Sequence, residues 1–334
     1  MILALDRARP IAAIVLGRAG MDLYPLPDGA EIEDTKEFAA EIGGSAGNIA
    51  VALSRLGHTT ALLGAFSDDG VGRFVRAHLE RNGVNTSRCR NVSGICRTSL
   101  AICETRAHDS ETVFYRNGAV DLQLHPDDFD LPFIASAAVL IVTGTALAAD
   151  PSRTAVLQAL AMARLAGTFA VFDIDHRPVS WPSNGAAGRT YQEAAQQADA
   201  VIGNDEEFAL LGGGANDALA SAAALVNDVC QFAIFKRGHQ GSITLTREGV
   251  FETGIFPIDA RKPFGAGDAF MGGLVASLLA GENLTASVER ASAAAAYVVS
   301  RRGCAFAMPN RTDLDRFIET HSLEREFAHA HTPL

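Results

Sequence analysis

Cysteine is sparse in this 334-residue chain: Cys89, Cys96, Cys103, Cys230 and Cys304 are odd in number, and no two stand in the CxxC spacing of a zinc or redox site. That argues against a disulfide scaffold and for buried, reduced thiols in a cytoplasmic protein. Positive charge is in deficit, with 28 Lys and Arg against 39 Asp and Glu and a formal net charge of -11. Nucleic acid and anionic membrane are therefore poor partners, although a local basic pocket is allowed. Long apolar runs are missing too. The best candidate for a membrane span, FIASAAVLIVTGTALAA, is split by Thr and Gly. The opening MILALDRARPIAAIVLG carries charges before a short apolar run and no small-residue cleavage site, so it reads as a first β-strand and not as a signal peptide. No internal repeat, low-complexity tract or linker forces a second domain.

What is present is a 48% hydrophobic composition, ample for a sizeable core. From about residue 137, short runs rich in Val, Ile and Phe alternate with Ala/Leu-rich stretches at helical spacing: AAVLIVTG, PSRTAVLQALAMARLAG, FAVFDID, YQEAAQQADAVIGN, DALASAAALVNDVCQFAIFKRG. This alternation predicts βαβ units on a mostly parallel sheet with helices on both faces. Pro151 should open one helix and Gly167 close it, and Gly281 should close another. Ligands bind outside the carboxyl ends of such strands, where Gly144 and Thr145, Asp173 to Arg177, Asn204 to Glu207 and Lys236 to Gly241 would converge. The amino-terminal third differs. LYPLPDGAEIED and RTSLAICETRAHDSETVFYRNG alternate polar and apolar residues around the turn signals HDS and RNG, which predicts a small antiparallel sheet projecting as a lid.

The stretch KPFGAGDAFMGG, residues 262–273, concentrates small residues around one carboxylate. A dinucleotide fingerprint would need a glycine where Phe270 stands, and no GxxxxGK[ST] P-loop occurs. Instead Gly265, Ala266 and Gly267 precede an apolar run, as a turn does that exposes unpaired amides at a helix start to an anion. Asp268 is then either an ordinary N-cap or a base that takes a proton from a hydroxyl attacking a bound phosphate. Gly272 and Gly273 would permit close approach of a ligand or a neighbouring element.

KPFGAGDAFMGGLV resembles the carboxyl-terminal signature of the ribokinase-like, or PfkB, sugar kinases, and GGSAGNIAVALSRLG followed by DDGVGRFV resembles their amino-terminal signature. The resemblance spans residues 11 to 310. It implies a ribokinase-like kinase domain over 11–320, with a β lid from about 20–36 and 96–120, working with ATP and Mg2+. The stretches GRAGMDLYP, FYRNGAVDLQL, GTALAADPSRTAVL, DIDHRPVSW and SAAAAYVVSRRGCAFAMP are similar to the branch that phosphorylates keto-deoxy sugar acids. A neighbouring branch, with a different keto-deoxy acid as acceptor, usually has Asn where this chain has Asp175.

By resemblance Asp268 is the general base, and the amides of Gly265, Ala266, Gly267 and Asp268 form an anion hole for the phosphoryl group. Asn204 and Glu207 match an NxxE motif in which Glu207 orients magnesium-bound water, though NxxE alone also suits a helix cap. Lys236, Gly238 and Gly241 match the loop along the nucleotide, and Ser292 the adenine or ribose contact. Asp22 matches the sugar-hydroxyl ligand, with Gly43, Gly44 and Asn48 lining the same pocket. Arg116 and Arg177 are the candidate partners of a substrate carboxylate.

Three departures from the family stand out. Tyr115-Arg116-Asn117-Gly118 replaces Tyr-Arg-Glu-Asn in the lid, Ser67 replaces a glycine, and Lys262 stands where ribokinases carry an Asp that helps bind a monovalent cation. An ammonium at that point would repel potassium or substitute for it, so activity is expected to be largely potassium-independent. A function of another class, a catalytically quiet sugar-acid sensor, is disfavoured because Asp268, Asn204 and Glu207 are all present. Apolar faces on the small sheet would allow a homodimer through the lid.

Overall fold

Near-continuous apolar runs such as IAAIVL and AAVLIVT leave neither strand face suited to water, and both lie deep in a sheet covered on each side. The computed structural model describes residues 3, 5–106, 109–213, 217–260, 262 and 264–324. Along the chain come β1 (Ile11–Leu16), β2 (Gly20–Leu26), β3 (Glu37–Gly43), α1 (Ser45–Arg55), β4 (Thr60–Leu63), β5 (Ala65–Ser67), α2 (Gly70–Arg81) and β6 (Val84–Asn85). Three short strands, β7 (Arg90–Val92), β8 (Leu100–Cys103) and β9 (Thr112–Tyr115), precede α3 (Leu131–Ala135). The alternation then sets in with β10 (Ala137–Thr143), α4 (Ser152–Ala166), β11 (Phe169–Asp173), α5 (Asn184–Ala195), β12 (Ala200–Asn204), α6 (Asp205–Leu211), α7 (Ala218–Asp228) and β13 (Phe232–Lys236). The hairpin β14 (Ser242–Thr246) and β15 (Gly249–Thr253) leads to α8 (Ala266–Ala280), α9 (Leu284–Val299) and α10 (Arg311–Thr320).

Nine strands form the main sheet in the order β15-β14-β13-β12-β11-β10-β1-β4-β6. All pair in parallel except β14 and β15, whose tight hairpin connection makes them antiparallel. Successive side chains alternate between two cores. Ala13, Val15, Val139 and Ile141 pack on one face with α1, α8 and α9, while Ile14, Leu16, Leu140 and Val142 pack on the other with α4, α5 and α7. Helix α4 follows Pro151 and ends at Gly167, and α8 ends at Gly281, both glycines in the left-handed conformation. Among the described residues no helix is long and apolar enough to cross a membrane.

Helix α8 is apolar all round, as it must be when wedged between two helices. A Cβ on Gly272 would come within 2.4 Å of Ala52 in α1, and one on Gly273 within 3.0 Å of Ala294 in α9. The glycine pair thus serves helix packing, which fixes the start of α8 against the start of α1.

The small sheet has the order β3-β2-β8-β9 and departs from expectation in two ways. Its strand β3 lies at 37–43, beyond the 20–36 range, and β2 pairs with β8 in parallel. EFAAEIG exposes side chains on both faces at its start, so it carries no clean alternation; its strand character comes from pairing with β2. The first residue of the HDS turn signal, His108, lies outside the described residues. Ser67 shares a 2.7 Å hydrogen bond with Thr98 and so ties β5 to the segment entering β8.

Candidate active site

The chain reverses its progress across the main sheet between β1 and β10, which lie side by side. Ligands bind outside the carboxyl ends of strands at such a point. A cavity of about 510 Å³ occupies it, within the usual size of a small-molecule site. Strand ends supply one wall through Thr145, Asp173, Asp175, Arg177, Asn204, Glu207, Lys236 and Gly238. The start of α8 supplies Gly265, Ala266, Gly267 and Asp268, and the start of α1 supplies Gly44, Ser45 and Asn48. The small sheet closes the far end with Asp22, Tyr24, Cys103, Phe114 and Arg116.

Gly265 is the N-cap of α8 at φ +82°, a conformation that disfavours any side chain, and so no cap side chain competes for the first amides. Asp268 is the third helical residue, which removes the N-cap alternative. Its Oδ2 accepts a hydrogen bond from Asn48 Nδ2 at 2.7 Å. Burial, helped by the nearby Asp175, pushes its carboxyl up to about 6, against the pull of Asn48, Arg177 and Lys236. A carboxylate poised there is ionised at neutral pH yet basic enough to accept a proton.

Glu207 does form a helix cap. Its backbone amide donates to Asn204 Oδ1 at 2.9 Å, and its Oε2 accepts from the Asn204 amide at 2.8 Å, while Oε1 accepts from the His176 amide at 2.9 Å. The capping box therefore docks the β11 end on α6 and leaves the carboxylate on the cavity wall. Asp173 is held above the ordinary carboxylate range by burial, with Lys236 Nζ at 3.7 Å as its counter-charge. Asp175 adopts φ +37°, uncommon for a non-glycine residue and frequent at functional sites. Its Oδ2 accepts from Ser45 at 2.5 Å and Thr145 at 3.4 Å, and its Oδ1 pairs with Arg177 Nη2 at 2.8 Å.

At the small-sheet end, Tyr24 lies 3.5 Å from Asp22 Oδ2 and 3.4 Å from Cys304 Sγ. Gly43 stands behind Asp22, where a Cβ would fall 1.8 Å from Oδ1. Arg116 is locked by Asp121 at 2.6 Å, Ser180 Oγ at 2.8 Å and the Thr145 carbonyl at 2.8 Å. Below the α8 turn, buried Lys262 donates to the carbonyls of Phe264 at 3.1 Å and Gly303, with Cys304 Sγ at 3.6 Å.

Three expected site residues stand off the cavity wall. Gly43 packs behind Asp22; Gly241 backs onto the Thr253 carbonyl, 2.1 Å from where its Cβ would be; Ser292 Oγ donates to the Gly254 carbonyl at 3.0 Å. Asp173 lines the cavity as its strand-end position predicts, whereas Arg18, Tyr24 and Ser45 line it without a signal of their own in the sequence. Arg18 and Tyr24 lie inside the quoted stretch GRAGMDLYP, but side-chain direction was not readable there. The five cysteines are free, and four of them are buried.

The family model for pfkB family carbohydrate kinases matches residues 12–311. The chain is 42% identical over 323 residues, 95% of its length and 98% of the relative's, to 5-dehydro-2-deoxygluconokinase of Photobacterium profundum. It is 36% identical over 324 residues to the protein of the same name from Geobacillus kaustophilus, covering 96% and 97%. Among solved structures it is similar to Xylella fastidiosa fructokinase with bound ATP, with a TM-score of 0.83 at 23% identity over 92% of this chain and 98% of that one. Aminoimidazole riboside kinase from Salmonella enterica, complexed with aminoimidazole riboside and an ATP analog, gives a TM-score of 0.78 at 24% identity over 92% and 100%. At those identities the solved structures speak for the fold alone.

Proposed function

Because the chain belongs to the pfkB family of carbohydrate kinases, we propose that it phosphorylates the C6 hydroxyl of 5-dehydro-2-deoxygluconate with ATP, giving the 6-phosphate and ADP, in inositol catabolism. The observation that carries this reading is the meeting of Asp268 with the uncapped amides of α8 in one cavity that also holds several cations. In the reaction Asp268 takes the hydroxyl proton as the oxygen forms its bond to the γ-phosphorus, and the bond to the ADP oxygen breaks. The amides of Gly265 to Asp268 face the charge on the transferring group, assisted by the helix dipole.

Asp22 would hold acceptor hydroxyls, with Gly43, Gly44 and Asn48 shaping that end and Arg116 and Arg177 supplying positive charge. Asn204, Lys236, Gly238, Gly241 and Ser292 belong to the nucleotide side. Magnesium fits as an ion bound through its water shell. Asp173 and Glu207 place carboxylates on the wall, Asp173 Oδ1 has no hydrogen-bond partner, and no three His, Cys, Asp or Glu side chains cluster as direct ligands among the described residues. The ion would neutralise phosphate charge. The small sheet would close over the acceptor as a lid, and its exposed Phe38 and Tyr115 support pairing of two copies. Reduced cysteines favour the cytoplasm as the place of work.

The test is ADP release with magnesium-ATP and a panel of 5-dehydro-2-deoxygluconate, 2-keto-3-deoxygluconate, ribose and fructose. A tenfold or greater kcat/KM preference for the first, about 1.4 kcal/mol, is expected. Preference for the second would move the substrate and keep the mechanism; no turnover at all would indicate a sensor.

A further inference from the structure

Four cations line the cavity: Arg18, Arg116, Arg177 and Lys236. Three of them have a carboxylate within ion-pair distance, Arg116 with Asp121 at 2.6 Å, Arg177 with Asp175 at 2.8 Å and Lys236 with Asp173 at 3.7 Å. Among the described residues Arg18 has none. It is 8% exposed, its Nε donates to Ser99 Oγ at 2.7 Å, and its buried Nη2 has no hydrogen-bond partner. A guanidinium nitrogen that has left water without finding an acceptor is unfavourable unless an anion completes it.

Its place in the fold says which anion. Arg18 lies between the end of β1 and the start of β2, where the chain crosses from the main sheet to the small one. Phe114 of β9 covers it, with the ring centre 6.0 Å from Cζ, and the Ser99 contact fixes its orientation. This end of the cavity holds Asp22, whereas the uncapped amides of α8 that suit phosphate lie with Asp268. Arg116, by contrast, spends Nε and Nη2 on Asp121, and uses Nη1 on Ser180.

We infer that Arg18 selects a carboxylate-bearing acceptor, binding that carboxylate through its guanidinium fork at the small-sheet end of the cavity. This rests on the sugar-acid kinase reading above. Asp22, near enough for the Arg18 charge to favour its ionised form, takes acceptor hydroxyls, so the pair discriminates a hydroxylated acid from a neutral sugar.

The experiment compares 5-dehydro-2-deoxygluconate with its uncharged carboxamide in wild type, Arg18→Gln and Arg18→Lys, with KM for ATP and thermal stability as controls. Wild type should prefer the acid at least tenfold. Arg18→Gln should raise KM for the acid by about 30-fold or more, leave KM for ATP unchanged, and bring the acid/amide preference close to one. Arg18→Lys, which keeps charge without the fork, should fall between them. A merely structural role would lower stability and leave the preference intact, and that result overturns the inference while sparing the kinase. If Arg18→Gln does not fold, Arg18→Lys decides: an acid/amide preference equal to that of wild type overturns the inference. Failure of wild type to phosphorylate any carboxylate acceptor overturns the sugar-acid reading and this inference with it.

Discussion

Asn48 and Asp268, 220 positions apart, meet at 2.7 Å, the amide of one donating to the carboxylate of the other, so that the first turns of α1 and α8 are joined at this carboxylate. Burial pushes the Asp268 carboxyl up to about 6, while this bond favours its ionised form. The kcat/KM profile should therefore fall on its acid side around that pH. Asn48→Ala should move the fall to higher pH, and Asp268→Asn should lower turnover by at least about 10²-fold with ATP binding retained. An acid limb that stays in place in Asn48→Ala would show that the bond does not set the base.

The same group affects stability with a definite sign. The folded pKa of Asp268, about 6, lies above its unfolded value of 3.8, so the folded chain binds the proton more tightly. The stabilisation this gives is full below the unfolded value and is lost as pH rises through about 6, which leaves a strained ionised group at neutral pH. Asp268→Asn should consequently be more stable than wild type at pH 8, by about 1 kcal/mol or roughly 2 °C after allowance for solvent in the cavity. The advantage should vanish near pH 4, and melting curves at the two pH values check it.

Lys262 places an ammonium among the carbonyls of Phe264 and Gly303, directly below the α8 turn. A tethered cation at this point would make a free one redundant. Turnover should change less than about twofold between potassium and sodium at constant ionic strength, whereas Lys262→Met should lose activity and recover part of it with potassium or ammonium. Steep potassium activation of wild type would refute this.

Gly43 has no room for a methyl group, since its Cβ would overlap the Asp22 carboxylate. Gly43→Ala should displace Asp22, raise KM for the acceptor about tenfold, and leave KM for ATP nearly unchanged, because the strain is confined to the small-sheet end. A parallel rise in both constants would show that Asp22 also positions the nucleotide.

Much of the architecture was readable in local sequence. Apolar strand runs, the helix periods between them, and the stops at Gly167 and Gly281 depend on near neighbours and turned out where the pattern placed them. The strand β3 was not readable, because EFAAEIG has no face of its own to bury and becomes a strand only beside β2. Among site residues, Asp268, Asn204 and Glu207 sit at helix starts that announce themselves by glycine or by a capping box. Arg18 carried no comparable signal. An arginine in a loop reads as solvated until its neighbours are known.

The sequence by itself therefore determined the parallel sheet, the order of its layers, and the turn that leaves the first amides of α8 free, since each follows from periodicity and backbone preference over a few residues. Only the tertiary structure decided which charges meet: that Arg116 pairs with Asp121, that Arg18 has no ion-pair partner among the described residues, and that Asn48 donates to Asp268. Pairing across tens to hundreds of positions depends on side-chain directions set by packing, and burial then determines how strongly each pairing shifts a charge.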